Sequence, residues 1–453
     1  MKKKFFVILF IFTISIILIS NLNKETLGYF VRSIPFDLIE TKKSLKKELR
    51  TRSENLADFS SEPEFYFSGE ENILNSLKGK KINYNLIKFT NPVFPLLGPR
   101  SYMAYKDKNL FLMNGVGDIY YGDIDQINQM KISLRKINSN IRNLIDADFG
   151  LGSTMAITRH LLIHEEHIYV SFVKKRSYQC YVNKVVVAKF NLEKIEFKNF
   201  FETDECSPFN TVGSGGTLSG YKENKILMSI GDYEGGELTL QDHKLIKRKV
   251  LSQDKDSLLG KIISINTQNK DVKILSMGHR NVMGIYYDIQ KDLIYLTENG
   301  PKGGDEINII KESSNTEIPN FGWPISSYGE HYGYAHMKFI DQYKRAPLNK
   351  SHSKYGFEEP IIYFVPSIAP TQITKVENLN NNNNTHLYFG ALAYRRPGHS
   401  LHKIELNNNF EIIDNYIIRL DERVRDLIYL KKEKKLLLFL ETSGTIAVLN
   451  KNN

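Results

Sequence analysis

Tyr105-Lys-Asp-Lys-Asn-Leu-Phe-Leu-Met113 is a polar hairpin turn running into a strand of large apolar residues, and the unit returns five more times along the chain. The copies are Ile163-His-Glu-Glu-His-Ile-Tyr-Val170, Tyr221-Lys-Glu-Asn-Lys-Ile-Leu-Met228 and Ile289-Gln-Lys-Asp-Leu-Ile-Tyr-Leu296, then Leu379 through an asparagine run to His386-Leu-Tyr-Phe389, and last Leu430 through a lysine-rich turn to Phe439. Each strand is rich in β-branched or large apolar side chains, which suit a pleated surface. Recurrence of one such unit signals a solenoid or a propeller, and hairpins of four-stranded units favour the propeller. The expected fold is therefore all-β, a six-bladed β-propeller over residues 81–453. A strand around Leu86 to Phe89 is expected to pair with the last blade and close the ring, hiding its edges. The longest gap, between the fourth and fifth copies, holds Gly322-Trp-Pro324 and runs to about Pro360. It is expected to lie over one end of the propeller, where such folds bind ligands.

Outside that body, Lys2, Lys3 and Lys4 precede an apolar run from Phe5 to Ser20, the pattern of an export signal. No small-residue cleavage pattern follows, so residues 1–22 read as a signal peptide or, slightly preferred, an uncleaved membrane anchor. Leu38, Leu45, Leu49 and Leu56 lie at near-helical spacing in a charged stretch, and residues 23–80 are expected to form a stalk or linker. The expected location is outside the cytoplasm, in the periplasm or envelope. The 453 residues carry a net charge of +10, but the lysines are scattered, and nucleic acid is not an expected partner. Cys180 and Cys206 are the two cysteines, and in an exported chain a disulfide is favoured over a metal site.

The chemistry concentrates in Gly278-His-Arg-Asn281 and Glu298-Asn-Gly-Pro301, at the two ends of one short strand. Arg280 offers a planar fork of donors suited to carboxylates, and Asn281 both donates and accepts. The backbone carbonyls of Gly300 and Pro301 are ordinary calcium ligands, and Asp305 with Glu306 is a candidate second cation site or a partner for Lys302 and Lys311. His331 and His336 lack a clear third metal ligand and read as loop residues, and Asp118, Asp123 and Asp125 read as a polar hairpin turn.

Taken in order with Gly304-Asp-Glu-Ile-Asn308, Asn320-Phe-Gly-Trp-Pro324 and Pro366-Ser-Ile-Ala-Pro370, these motifs resemble the glucose/sorbosone dehydrogenase family, from about Leu86 to Val448. The resemblance implies a six-bladed propeller, in agreement with the repeat count. It also implies pyrroloquinoline quinone (PQQ) as cofactor, assisted by calcium, and oxidation of the anomeric carbon of an aldose to a lactone. Carried over by motif, Arg280 and Asn281 would contact the quinone and the carbonyls of Gly300 and Pro301 would hold its calcium. Glu422-Arg-Val-Arg-Asp426 matches the family's Arg-x-Arg-Asp, so Arg423 and Arg425 would meet quinone carboxylates. Partners so implied are a small sugar or alcohol and an electron acceptor.

The match breaks at the proton acceptor. Gly213 stands at the family's catalytic histidine, Thr217 replaces the arginine of its Gly-Arg-Leu, Met283 replaces a glutamine, and Ala393 replaces a lysine. Phe149 or Asp148 falls near the family's other site glutamine. Loss of a general base costs on the order of 10²–10⁴ in rate. Asp204, Asp232, Glu234, His160 and His279 are the candidate substitutes, with a structural role favoured for His279. Two functions remain open: an oxidoreductase with a rearranged base, or an inactive propeller that binds a carbohydrate or a protein at the envelope.

Overall fold

The computed structural model describes residues 63–451 apart from 78–79, 92–99, 146–157, 178–179, 208–212, 234–249, 312–316, 331–350, 378–382 and 394–397. The expected signal or anchor, most of the stalk, Asp148, Phe149, Glu234, His331 and His336 lie outside the described residues. No helix among the described residues is long and apolar enough to cross a membrane.

Every one of the six repeat copies lies in the first hairpin of a blade. Tyr102–Lys106 pairs with Asn109–Met113, Thr158–His164 with His167–Ser177, and Gly215–Tyr221 with Lys225–Ile230. Val282–Asp288 pairs with Leu293–Glu298, Pro370–Val376 with Thr385–Ala391, and Val424–Leu430 with Lys435–Leu440. We number the blades 1 to 6 in that order. Blades 1 to 5 are four-stranded antiparallel meanders, blade 6 contributes three consecutive strands to a larger sheet, and the first strands of successive blades adjoin one another around the axis.

An apolar run such as Leu436–Leu440 reflects burial on both faces of a blade. Leu437 and Phe439 pack toward blade 1, with Phe89, Leu110 and Leu112, whereas Leu436 and Leu438 pack toward blade 5, with Leu401 and Ile418. The core is thus a series of layers between neighbouring blades.

Blade 6 closes the ring with the two ends of the described chain. Its third strand, Thr445–Lys451, pairs with Lys80–Thr90, including Leu86 opposite Leu449 and Phe89 opposite Ile446. The expected closing strand is therefore present, and it is longer than Leu86 to Phe89. Glu64–Leu77, which the sequence reading placed in the stalk, pairs with Lys80–Thr90 and extends the same sheet to Lys131–Ser133. Cys180 and Cys206 are joined in a disulfide, with Cα atoms 4.7 Å apart, tying the start of the third strand of blade 2 to the segment beyond its last.

Blades 6 and 1 are also fastened by Asp426, whose Oδ2 accepts the Met103 amide at 2.6 Å. Burial pushes the Asp426 carboxyl up to about 7 from an ordinary 3.8. The folded protein then holds a proton that the unfolded chain gives up, so this group's stabilisation is complete in acid and is lost as pH rises from about 4 through about 7. Asp426→Asn keeps an oxygen for Met103 but cannot ionise. Its stability, read from urea unfolding, is expected to fall less between pH 5 and pH 8 than that of the parent, by roughly 2 to 3 kcal/mol. Equal pH slopes in the two proteins would refute this role.

Candidate functional site

An even number of antiparallel strands returns the chain to the end at which a blade began. All six first strands therefore start at the same end of the axis, and the turns after the second strands open there as well. Arg280, Arg423 and the Gly300-Pro301 turn meet at this end for that reason.

In blade 4, Gly278 makes the loop possible. Its φ is +74°, and a Cβ there would stand 2.2 Å from Asn320 Oδ1. The Asn320-Phe-Gly-Trp-Pro324 segment fastens along this loop: the Phe321 amide donates to Met277 O at 2.9 Å and the Trp323 amide to Gly278 O at 3.0 Å. The Trp323 ring consequently lies beside the Arg280 guanidinium, 5.5 Å from its centroid, a cation–π contact. The Trp323 indole N–H donates to Asp232 Oδ2, while the Asp232 amide donates to Arg280 O at 2.9 Å. Glu298 fixes the same loop from below, accepting the Arg280 amide and lying 2.8 Å from His279 Nδ1. The second ring nitrogen of His279 is 2.7 Å from Ser276 Oγ, so His279 is held as a structural link.

Arg280 Nη1 donates to Gly300 O at 2.9 Å and to Asn299 O at 3.2 Å. Asn281 Oδ1 accepts the Gly215 amide of blade 3 at 3.1 Å. Pro301 O accepts from Ser367 Oγ at 3.1 Å. Asp305 and Glu306, successive residues of the strand Asp305–Lys311, point to opposite faces and so do not converge on one position. Asp305 accepts amides from Gly300 at 2.9 Å, Ile368 at 2.6 Å and Ala369 at 2.7 Å, and so pins the glycine-proline turn to the Pro366–Pro370 motif. Burial raises its carboxyl to about 6. Glu306 lies 3.1 Å from His352 Nε2 and accepts from Asn308 at 3.2 Å. Among the described residues there is no group of three or more His, Cys, Asp or Glu fit to hold a metal.

In blade 6, Arg423 and Arg425 both bond the buried carboxylate of Glu441, and Arg423 Nη1 also donates to Leu392 O at 2.9 Å. Burial works to raise Glu441, but Arg425 and Arg423 prevail and hold it below the usual carboxylate range. Two further arginines, not singled out in the sequence, join this group. Arg159 Nε donates to Ser214 Oγ at 2.7 Å, crossing from blade 2 to blade 3, and Arg100 precedes the first strand of blade 1. Burial, then the charge of Arg100, pushes Arg159 down to about 9. Their signal was positional: Arg100, Arg159, Arg280 and Arg423 each stand at or just before the start of a blade's first strand.

Gly213 adjoins Asp232 and Tyr233, its carbonyl accepting the Tyr233 amide at 2.9 Å. Of the candidate bases, Asp232 is therefore beside the altered position and beside Arg280. Asp204 is exposed. His160 spans the axis to Gln372, Nε2 to Nε2 at 3.2 Å, and burial pushes its imidazole down to about 4. Asp118 lies in a hairpin turn and bonds Arg142, whereas Asp123 ends the following strand and caps a short helix that contains Asp125, so the three do not form one turn.

The fold and this end of it define a class: a six-bladed propeller with a cup of arginines at one end of its axis. The sequence profile of the glucose/sorbosone dehydrogenase family matches residues 150–448, and the chain belongs to that family. An uncharacterized protein of Synechocystis is 28% identical over 61% of this chain and 65% of its own length. Quinoprotein glucose dehydrogenase B of Acinetobacter calcoaceticus is 26% identical over 28% of each chain. The alignments thus span less than two thirds of these relatives' own lengths. The crystal structure of the soluble aldose sugar dehydrogenase from Escherichia coli, in its apo form, superposes with a TM-score of 0.56, covering 78% of this chain and 95% of that one. At 17% identity, this is a likeness of fold.

Proposed function

We propose that the chain is an exported oxidoreductase that binds PQQ and calcium in the arginine cup and oxidises a sugar or another alcohol, with Asp232 in place of the missing histidine. The observation that carries this is the placing of Arg280, Asn281, the Gly300 and Pro301 carbonyls, Arg423 and Arg425 at one end of the propeller axis. The donor set suits a quinone bearing several carboxylates, since guanidinium forks match carboxylate geometry. When bound, the quinone accepts hydride from the substrate carbon, which for an aldose is the anomeric carbon.

Calcium takes six to eight oxygens, and the backbone at Gly300 and Pro301 offers two. A carbonyl oxygen has two lone pairs, so its hydrogen bond to Arg280 or Ser367 does not bar a cation. The ion would be held jointly with the anionic cofactor. Two results are expected in calorimetry: no heat from calcium alone, and quinone binding at least about tenfold weaker after chelation. Undiminished quinone affinity without calcium would remove the metal from this reading.

Arg280, steadied by Trp323 and Glu298, and Asn281 orient the cofactor, and Asp232 takes the hydroxyl proton. The apolar run of residues 5–20 and the Cys180–Cys206 disulfide support export. Gly213 favours a second reading, a binding module without turnover. Purified protein is reconstituted with calcium and PQQ, then examined for a bound-quinone spectrum and for dye reduction by aldoses. Turnover supports the enzyme, binding without turnover supports the module, and absence of quinone binding sinks the cofactor assignment.

A further inference from the structure

The cup holds more than the family motifs account for. Arg100 and Arg159 lie at the starts of blades 1 and 2, near enough to feel each other's charge and that of the motif residue Arg425 of blade 6. Arg159 and Arg425 are 2% and 4% exposed. Room for Arg159 comes from blade 3: a Cβ on Gly216 would stand 2.6 Å from Arg159 Cβ and 2.7 Å from its Cγ. Its Nε bond to Ser214 then brings the guanidinium beside Gly213.

Beside the Gly213–Ser214 segment stands a buried polar atom with no hydrogen-bond partner, Tyr233 Oη. The Tyr233 backbone amide bonds Gly213 O at 2.9 Å, one residue from Ser214, whose Oγ accepts from Arg159 Nε at 2.7 Å. Buried polar groups in native proteins are almost always satisfied, so an unsatisfied hydroxyl beside gathered cations points to a ligand rich in oxygen and negative charge.

We propose that Arg100, Arg159 and Tyr233 form a substrate subsite for an oxyanion, so that the cup selects a sugar bearing a carboxylate or a phosphate over a neutral aldose. This rests on the reading of the cup as an oxidoreductase site, with Arg280, Asn281, Arg423 and Arg425 left to the quinone. It places the substrate's charged group on the side of blades 1 to 3, where Gly213 contributes no side chain.

The test uses the full chain, with and without PQQ and calcium, titrated calorimetrically with glucuronate, glucose 6-phosphate and glucose. At least one of the two anionic sugars is expected to bind about ten- to a hundredfold more tightly than glucose, and the preferred one names the oxyanion. Arg159→Gln and Arg100→Gln are expected to abolish that preference. Tyr233→Phe removes one hydroxyl that bonds nothing in the fold, and is expected to weaken the anionic sugar several-fold with thermal unfolding unchanged. Equal affinity for all three sugars overturns the proposal, as does an unaltered preference in all three variants. Loss of quinone affinity in step with the sugar would assign these arginines to the cofactor and also overturn it. Selective binding of an anionic sugar by a chain that takes no quinone would uphold the subsite while sinking the oxidoreductase.

Discussion

Asp232→Asn is expected to lower the quinone-loaded, dye-linked turnover by about 10²–10⁴-fold while leaving quinone affinity within a few-fold. Asparagine retains an oxygen that can accept the Trp323 indole N–H, so Trp323 stays beside Arg280 and the cup keeps its shape. What disappears is the ability to hold a proton taken from the substrate. Asp232 is singled out by position: its amide bonds Arg280 O, and the Tyr233 amide beside it bonds Gly213 O. A variant within tenfold of the parent's turnover would move the base elsewhere, and His160, held neutral by burial, would be next to test.

The second large effect is expected on stability. Leu86→Pro should cost at least about 3 kcal/mol, against a total of about 5–15 for a typical native protein. Leu86 is buried in a strand paired on both sides, opposite Leu449 and opposite Glu71. Proline removes the amide and fixes φ near −65°, far from the extended value of an antiparallel strand, and its smaller ring leaves part of the apolar layer between blades 5 and 6 empty. Urea unfolding would show a lower midpoint, and an unchanged one would mean that this strand does not hold the ring shut.

Much of the architecture was legible because each blade opens with a hairpin whose polar turn contrasts with its apolar strand. The extra strand Glu64–Leu77 was not legible because buried Phe65 is followed by two exposed aromatics, Tyr66 and Phe67, beside charged residues, which breaks the alternation of a half-buried strand. In the site, contiguous motifs were readable and dispersed groups were not. Arg100 and Arg159 sit singly in unlike surroundings, and only the register of the blades aligns them. Glu441, which bridges Arg423 and Arg425, lies beyond the next turn in sequence. Asp305 and Glu306 invited a cation reading because adjacent carboxylates look like a pair, but strand geometry sends neighbours to opposite faces.

Blade 6 also sets a timetable. Thr90 and Thr445, hydrogen-bonded at 2.8 Å in the closing sheet, are 355 positions apart. At about 5–20 residues per second, a ribosome needs roughly 20 to 70 s to make the later partner after the earlier one. Until then no closed ring can exist, however well single blades have formed. The ring's last fastening therefore waits until synthesis has passed Thr445.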